Sequence, residues 1–145
     1  MPTLSSYDYA FVRVVPRADR AEFLNVGVIL YCRTQQFLAA KVELNEDRLL
    51  ALDPEQDIAK LREHLGLIPQ ICQGQGPIGE LGQADSFHWL VAPHNTIVQF
   101  SPVHTGLCVD PQAELEHVMD TIVRLPGRLG HGADPCVDSD GSPSV

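Results

Sequence analysis

Five polar residues that could bind an anion lie close together near the start of the chain: Arg13, Arg17, Arg20, Glu22 and Asn25. Arginine recognises carboxylates and phosphates because its planar guanidinium offers paired N–H donors. A hairpin formed by this segment gathers the five residues at one end of a sheet. They then form either a binding surface for an anionic ligand or acidic segment, or a structural set in which arginine pairs with Glu22 and Asn25 bonds the loop backbone.

Three histidines are candidates for a metal site, because His88, His94 and His104 lie within seventeen residues. Neutral imidazoles near Asp85 or Asp110 could coordinate a metal ion. Their spacing matches no metal-binding motif, however. We therefore predict structural histidines and no metal.

Two further segments match the residue pattern of a catalytic or cofactor motif but lack its structural context. Residues 74–79 match a dinucleotide-binding glycine motif, but that motif requires a strand before it and Pro77 removes one of the N–H donors. Residues 101–104 combine a serine with a histidine, but no nucleophile elbow surrounds them. We predict loops at residues 74–86 and 101–104, and no cofactor.

Alternation of apolar residues predicts three consecutive strands, over residues 7–15, 23–32 and 37–44. The polar segments between them are typical of tight turns, so the strands form an antiparallel meander. A fourth strand is predicted at residues 96–100. Residues 87–91 are compatible with a strand or a short helix.

The register of the first hairpin follows from placing apolar residues opposite one another. Val12 opposite Val26 and Arg13 opposite Asn25 achieves this. Uninterrupted alternation along the second strand puts four apolar residues on one face: Leu24, Val26, Val28 and Leu30.

Two helices are predicted from their start signals. Asp53 and Pro54 suit the cap and first position of one helix, which should end at Gly66. Asp110 and Pro111 repeat the signal for a second helix.

Together these elements predict an α+β fold, with an antiparallel meander sheet of three to four strands covered by two main helices. The length of 145 residues suits one domain. We expect that domain to span residues 1–126. Residues 127–145, rich in Gly, Pro, Asp and Ser, should form a flexible acidic tail.

The charge and cysteine content exclude several classes of protein. A net charge of −9 disfavours nucleic-acid binding, although the arginines near the first hairpin leave a local basic patch open. The four cysteines lack a Cys-x-x-Cys pair, which favours free thiols: Cys32, Cys72, Cys108 and Cys136.

We expect a cytoplasmic protein, because the sequence has neither a signal peptide nor a membrane span. The apolar edges of a small sheet favour a homodimer.

The first hairpin resembles a known bacterial family. Residues 7–17 (YDYAFVRVVPR) and 22–30 (EFLNVGVIL) are similar to the opening of DUF3037, a domain of unknown function. The resemblance covers the first 45 residues, and the helix start at residues 110–111 is compatible with the family's later part. It implies no established reaction, cofactor or catalytic residue. It does imply a partner, because members are often encoded beside a HipA-like kinase-fold protein.

The sequence thus predicts a non-enzymatic binding or accessory domain. Its hairpin end would present Arg13, Arg17, Arg20 and Asn25 to a protein partner or a small anion. The alternative is a small hydrolase or phosphate-handling enzyme that uses the same arginines with Glu22 as an acid or base.

Overall fold

The computed structural model describes residues 3–17, 22–92 and 97–124. The strands are β1 (Ser5–Arg17), β2 (Glu22–Cys32), β3 (Phe37–Val42), β4 (Val98–Phe100) and β5 (His104–Cys108). The helices are α1 (Glu46–Leu52), α2 (Ile58–Cys72), α3 (Gly76–Gly79), α4 (Gln83–Val91) and α5 (Pro111–Val118), which continues as a π-helix (Met119–Val123). The predicted α+β class is confirmed. Within the described residues no helix is both long and apolar enough to span a membrane.

The sheet is antiparallel and its strands lie in the order β3-β2-β1, with β4 and β5 sharing the remaining edge of β1. The predicted meander is confirmed. The loop prediction at residues 101–104 missed β5, which begins at His104. Pro102 lacks an N–H and interrupts what would otherwise be one continuous edge strand. Beside it, the N–H and Oγ of Ser101 bond the backbone of Phe11, at 2.9 and 2.8 Å.

A β-bulge interrupts the pairing of β1 with β2. Arg13 lies opposite Asn25, as predicted, but Val12 lies opposite Gly27 rather than Val26. Val26 is therefore an extra residue on β2, and two residues of that strand span one step of β1.

The bulge exchanges the two faces of β2 along the rest of the strand. The prediction that Val28 and Leu30 share a face with Leu24 is wrong, because both belong to the opposite core. Ile29 and Tyr31 take their places beside Leu24. An extra residue in a strand has this effect because side chains alternate with a period of two.

Both faces of the sheet are covered. The front face packs against α1, α2 and α4, and its core includes Val12, Val14, Leu24, Val26, Ile29, Leu49, Leu61, Leu65, Phe87 and Leu90. The back face packs against α5 and the π-helix, and its core includes Tyr7, Val28, Leu30, Cys32, Cys108, Leu115, Val118, Met119 and Val123. The central strand β2 is apolar on both faces for this reason.

The first predicted helix begins later and ends later than expected. Asp57, rather than Asp53, caps α2 by accepting a bond from the N–H of Lys60 at 3.1 Å. Asp53 instead follows α1, a helix that the sequence analysis missed. Gly66 does not end α2, because the apolar stripe continues beyond it to Cys72 and keeps the helix packed on the sheet.

The glycine-rich segment is not a loop throughout. It contains α3 and the first residues of α4. Residues 87–91, for which the sequence allowed a strand or a helix, form the rest of α4. The Ser86 Oγ donates to the Ile78 carbonyl at 2.8 Å and ties the two helices together. The predicted start of α5 is confirmed, since Asp110 accepts a bond from the N–H of Gln112.

The arginine that follows the π-helix joins it to the sheet. Arg124 bonds Glu43 beyond β3, and also Glu116 and Asp120 on the helix that covers the back face. Lys41 of β3 forms a further ion pair with Glu116. These hydrogen bonds from Lys41 and Arg124 lower the pKa of Glu116. These ion pairs connect α5 and the π-helix to β3 and to Glu43, which follows it.

Three of the four cysteines are free and buried, as the sequence analysis expected, whereas Cys136 lies outside the described residues. Burial raises the pKa of Cys72 to about 12 and that of Cys108 above its usual value. Because the thiolate is the reactive form, Cys72 and Cys108 should resist iodoacetamide at neutral pH until the protein is unfolded in urea, and burial alone should protect Cys32 in the same way. Mass spectrometry of labelled peptides would check this, and labelling of any of the three at its unfolded rate would contradict it.

Candidate functional site

The hairpin end brings together two of the predicted site residues. Arg13 and Asn25 face each other across β1 and β2 on the back face of the sheet. The guanidinium carbon of Arg13 lies 4.2 Å from the ring centroid of Phe23, which is a cation–π arrangement. Phe23 is 47% exposed, so this stacked pair forms part of the protein surface.

Beside this stacked pair, the Nε of Arg13 and the Oδ1 of Asn25 are buried without a hydrogen-bond partner in the described part of the chain. A buried polar atom left unsatisfied costs about 1–3 kcal/mol, so folded proteins rarely retain one without a reason. One is a donor and the other an acceptor. A ligand that carries both kinds of group could satisfy them after a rotation of the Arg13 side chain.

The other predicted residues lie at or beyond the end of the hairpin. Glu22 is the first residue of β2 and lies opposite Arg17 in the ladder. The side chain of Arg17 and all of Arg20 lie outside the described residues. The structure therefore describes Arg13, Glu22 and Asn25 of the predicted cluster, and the role of the five residues remains a prediction.

A row of aromatic rings continues from Arg13 along the back face of β1. The ring centroids of Tyr7 and Tyr9 are 5.4 Å apart, and those of Tyr9 and Phe11 are 5.8 Å apart. His104 on β5 packs against Tyr9 and Phe11 at similar distances, 5.3 and 5.4 Å.

The histidines considered for a metal site are dispersed. His104 belongs to the aromatic row, whereas His88 lies on α4 beside the Phe87 ring. His94 lies outside the described residues. Among the residues that the structure does describe, no three histidine, cysteine or acidic side chains are grouped to hold a metal ion.

A groove of about 200 Å³ separates the aromatic row from the helical cover. It is lined by Tyr7, Tyr9, Phe11, Glu114, His117, Val118, Thr121 and Ile122. The Tyr7 hydroxyl donates to Glu114 Oε2 at 2.7 Å, and burial together with that carboxylate raises the pKa of Tyr7 well above its usual range. Tyr7 is therefore a neutral hydrogen-bond donor at physiological pH.

The π-helix forms part of the groove wall. Wide π turns occur frequently at functional sites, because they displace side chains from regular helical positions. Here the Thr121 Oγ1 donates to the His117 carbonyl at 2.8 Å, and both residues line the groove. The sequence analysis missed this groove; its signal was the row of aromatic residues at every second position of β1.

Arg13, Phe23 and Asn25, together with the half-buried rings of Tyr9 and Phe11, form one surface on the back face, which we call the Arg13 surface. Along a strand, residues two apart on one face are separated by about 6–7 Å, so Phe11 directly adjoins Arg13. The surface therefore places a cation and aromatic rings next to each other.

The fold is that of a small α+β domain whose sheet carries an arginine beside aromatic rings on one face. The family model described as protein of unknown function (DUF3037) matches residues 9–123, most of the chain. The chain therefore belongs to the DUF3037 family, and the resemblance inferred from its first 45 residues is confirmed. No curated protein and no solved structure matches the sequence.

Proposed function

We propose that this domain is a binding or accessory domain whose Arg13 surface holds a carboxylate-bearing segment of a protein partner. The observation that supports it is the Arg13 guanidinium over the exposed Phe23 ring, together with the buried Arg13 Nε and Asn25 Oδ1, which have no hydrogen-bond partner among the described residues. An arginine held by an aromatic ring is pre-organised to meet a carboxylate. The side-chain Oδ1 of Asn25 would then accept a hydrogen bond from an N–H of the bound segment.

A protein partner fits this surface better than a nucleic acid does. Arginine and aromatic residues are the types most enriched at the centres of protein interfaces. The net charge of −9 opposes the approach of a polyanion, whereas one carboxylate needs only a local cation. The resemblance to the family adds a specific candidate for the partner, a HipA-like kinase-fold protein.

The proposal predicts that replacing Arg13 removes the partner. Tagged wild-type protein should capture one protein from an extract of its own cells, and the Arg13→Ala variant should bind it about tenfold more weakly or worse. A triple variant that also carries Arg17→Ala and Arg20→Ala should bind no better. The matched control is Arg62→Ala, since Arg62 is an exposed arginine on α2 whose partner is Glu46. Circular dichroism would verify that each variant folds.

Three outcomes would reject the proposal. Retention of the same partner by the folded triple variant would show that the Arg13 surface is not the interface. Capture of a second copy of the chain would replace the accessory role with a homodimer. If nothing is captured, hydrolysis of phosphate compounds by the wild type, with its loss in Glu22→Gln, would support the alternative of a small hydrolase.

A further inference from the structure

A cavity lies at the end of the sheet where β1 begins and β2 ends. Its volume is about 440 Å³, within the usual range of small-molecule sites. It is lined by Ser6, Tyr7, Asp8, Tyr31, Arg33, Thr34, Ala84 and His88. They come from β1, β2, the turn after β2, and α4.

Two of the lining residues form a cross-strand pair. Asp8 of β1 lies opposite Tyr31 of β2, and both side chains point to the front face. Tyr31 is only 9% exposed and packs against the Phe87 ring at 5.4 Å. Asp8 is therefore a half-buried carboxylate held beside a fixed aromatic ring.

One wall is a turn that other side chains hold in a strained conformation. Gln36 has a φ of 52°, which costs a residue other than glycine about 1–2 kcal/mol. The Gln83 amide of α4 donates to the Gln36 carbonyl at 2.9 Å, and the Gln35 amide donates to Ser5 Oγ at 3.0 Å. The turn that carries Arg33 is thus fixed on two sides, as expected of a pre-organised site.

The cavity contains groups of both charges that do not neutralise each other. Neither Asp8 nor Arg33 takes part in the ion pairs of the described residues, which involve Lys41, Arg62 and Arg124. A guanidinium binds a carboxylate through paired N–H donors, and a carboxylate accepts from an ammonium group. A ligand with both groups would match the cavity at two points.

We infer that this cavity binds a small aminocarboxylate, with the ligand's carboxylate on Arg33 and its amino group on Asp8. Tyr31 and the hydroxyl of Thr34 would contact the remainder of the ligand. The inference does not depend on the Arg13 surface, because Arg13, Phe23 and Asn25 are not among the residues that line this cavity.

The test is isothermal titration calorimetry of the full chain with each of the standard free L-amino acids at millimolar concentration. At least one should bind, and Arg33→Ala and Asp8→Asn should each weaken its binding about tenfold or more. The methyl ester and the N-acetyl derivative of that amino acid should also bind more weakly, because each removes one of the two recognised charges.

Two control variants separate this site from general damage and from the proposed function. Arg48→Ala on α1 removes an exposed arginine that does not line the cavity, and Arg13→Ala removes the other candidate surface; both variants should bind the amino acid as the wild type does. Arg33 is exposed, so its variants should fold, and circular dichroism would verify this. Absence of binding by every amino acid, or binding that survives both cavity variants in folded form, would overturn the inference.

Discussion

Replacing Gly27 with alanine should destabilise the domain by about 3 kcal/mol or more. A Cβ at this position would lie 2.8 Å from Val42 Cγ1 and closer still to the Lys41 carbonyl oxygen. Gly27 lies on β2 between β1 and β3, so neither neighbouring backbone can move away without losing ladder hydrogen bonds. Urea unfolding followed by circular dichroism would measure the free energy of unfolding.

The matched control is Gly66→Ala, which should raise the free energy of unfolding instead of lowering it. Gly66 lies inside α2, and a Cβ there would meet nothing within 4 Å. Alanine should therefore stabilise the domain by about 0.5–1 kcal/mol, since it favours the helix and restricts the unfolded chain. If both variants shifted stability in the same direction, the packing described around Gly27 would be wrong.

The second large effect is expected where α5 covers the back face. Leu115 is 1% exposed and belongs to the core between α5 and the sheet. Leu115→Ala should cost about 2–5 kcal/mol, from lost burial and from the cavity left behind. Thermal unfolding followed by circular dichroism would show a corresponding fall in the melting temperature.

The control removes the same atoms from an exposed position. Leu107 on β5 is 64% exposed, so Leu107→Ala should change the free energy of unfolding by no more than about 0.5 kcal/mol. Equal losses in the two leucine variants would mean that the helical cover of the back face does not form in solution as described.

Much of the fold could be predicted because its strongest elements have local signals. The alternation in β1, β2 and β3 identified the meander, and the Arg13 to Asn25 pairing followed from it. The start of α5 was also predictable, because Asp110 is a good cap and no competing acidic residue precedes the helix closely.

The errors arose where two local signals compete or where no signal exists. Asp53 and Asp57 are equally good caps, and only the packing of α1 decides between them. The edge strand β5 exposes Leu107, so it lacks the apolar alternation that identifies a buried strand. The bulge at Val26 leaves no trace in the sequence, because residues 28–31 that follow it are all apolar or aromatic and therefore suit either face of the sheet.

The candidate sites differ in how far the sequence could indicate them. Arg13 and Asn25 lie on neighbouring strands of one hairpin, so a local pattern was enough to pair them. The groove on the back face requires α5 to be placed over β1. The cavity at Arg33 combines β1, the turn after β2 and α4, and no local pattern links Asp8 to His88.

The bulge at Val26 also has a consequence for how this protein can change in length during evolution. A deletion of the Val26 codon would place Asn25 next to Gly27, in a regular ladder opposite Arg13 and Val12, and every later side chain would keep its face. A deletion at Leu30 would instead exchange the two faces for the remainder of β2. Insertions and deletions among relatives should therefore be tolerated at Val26 better than elsewhere in this strand.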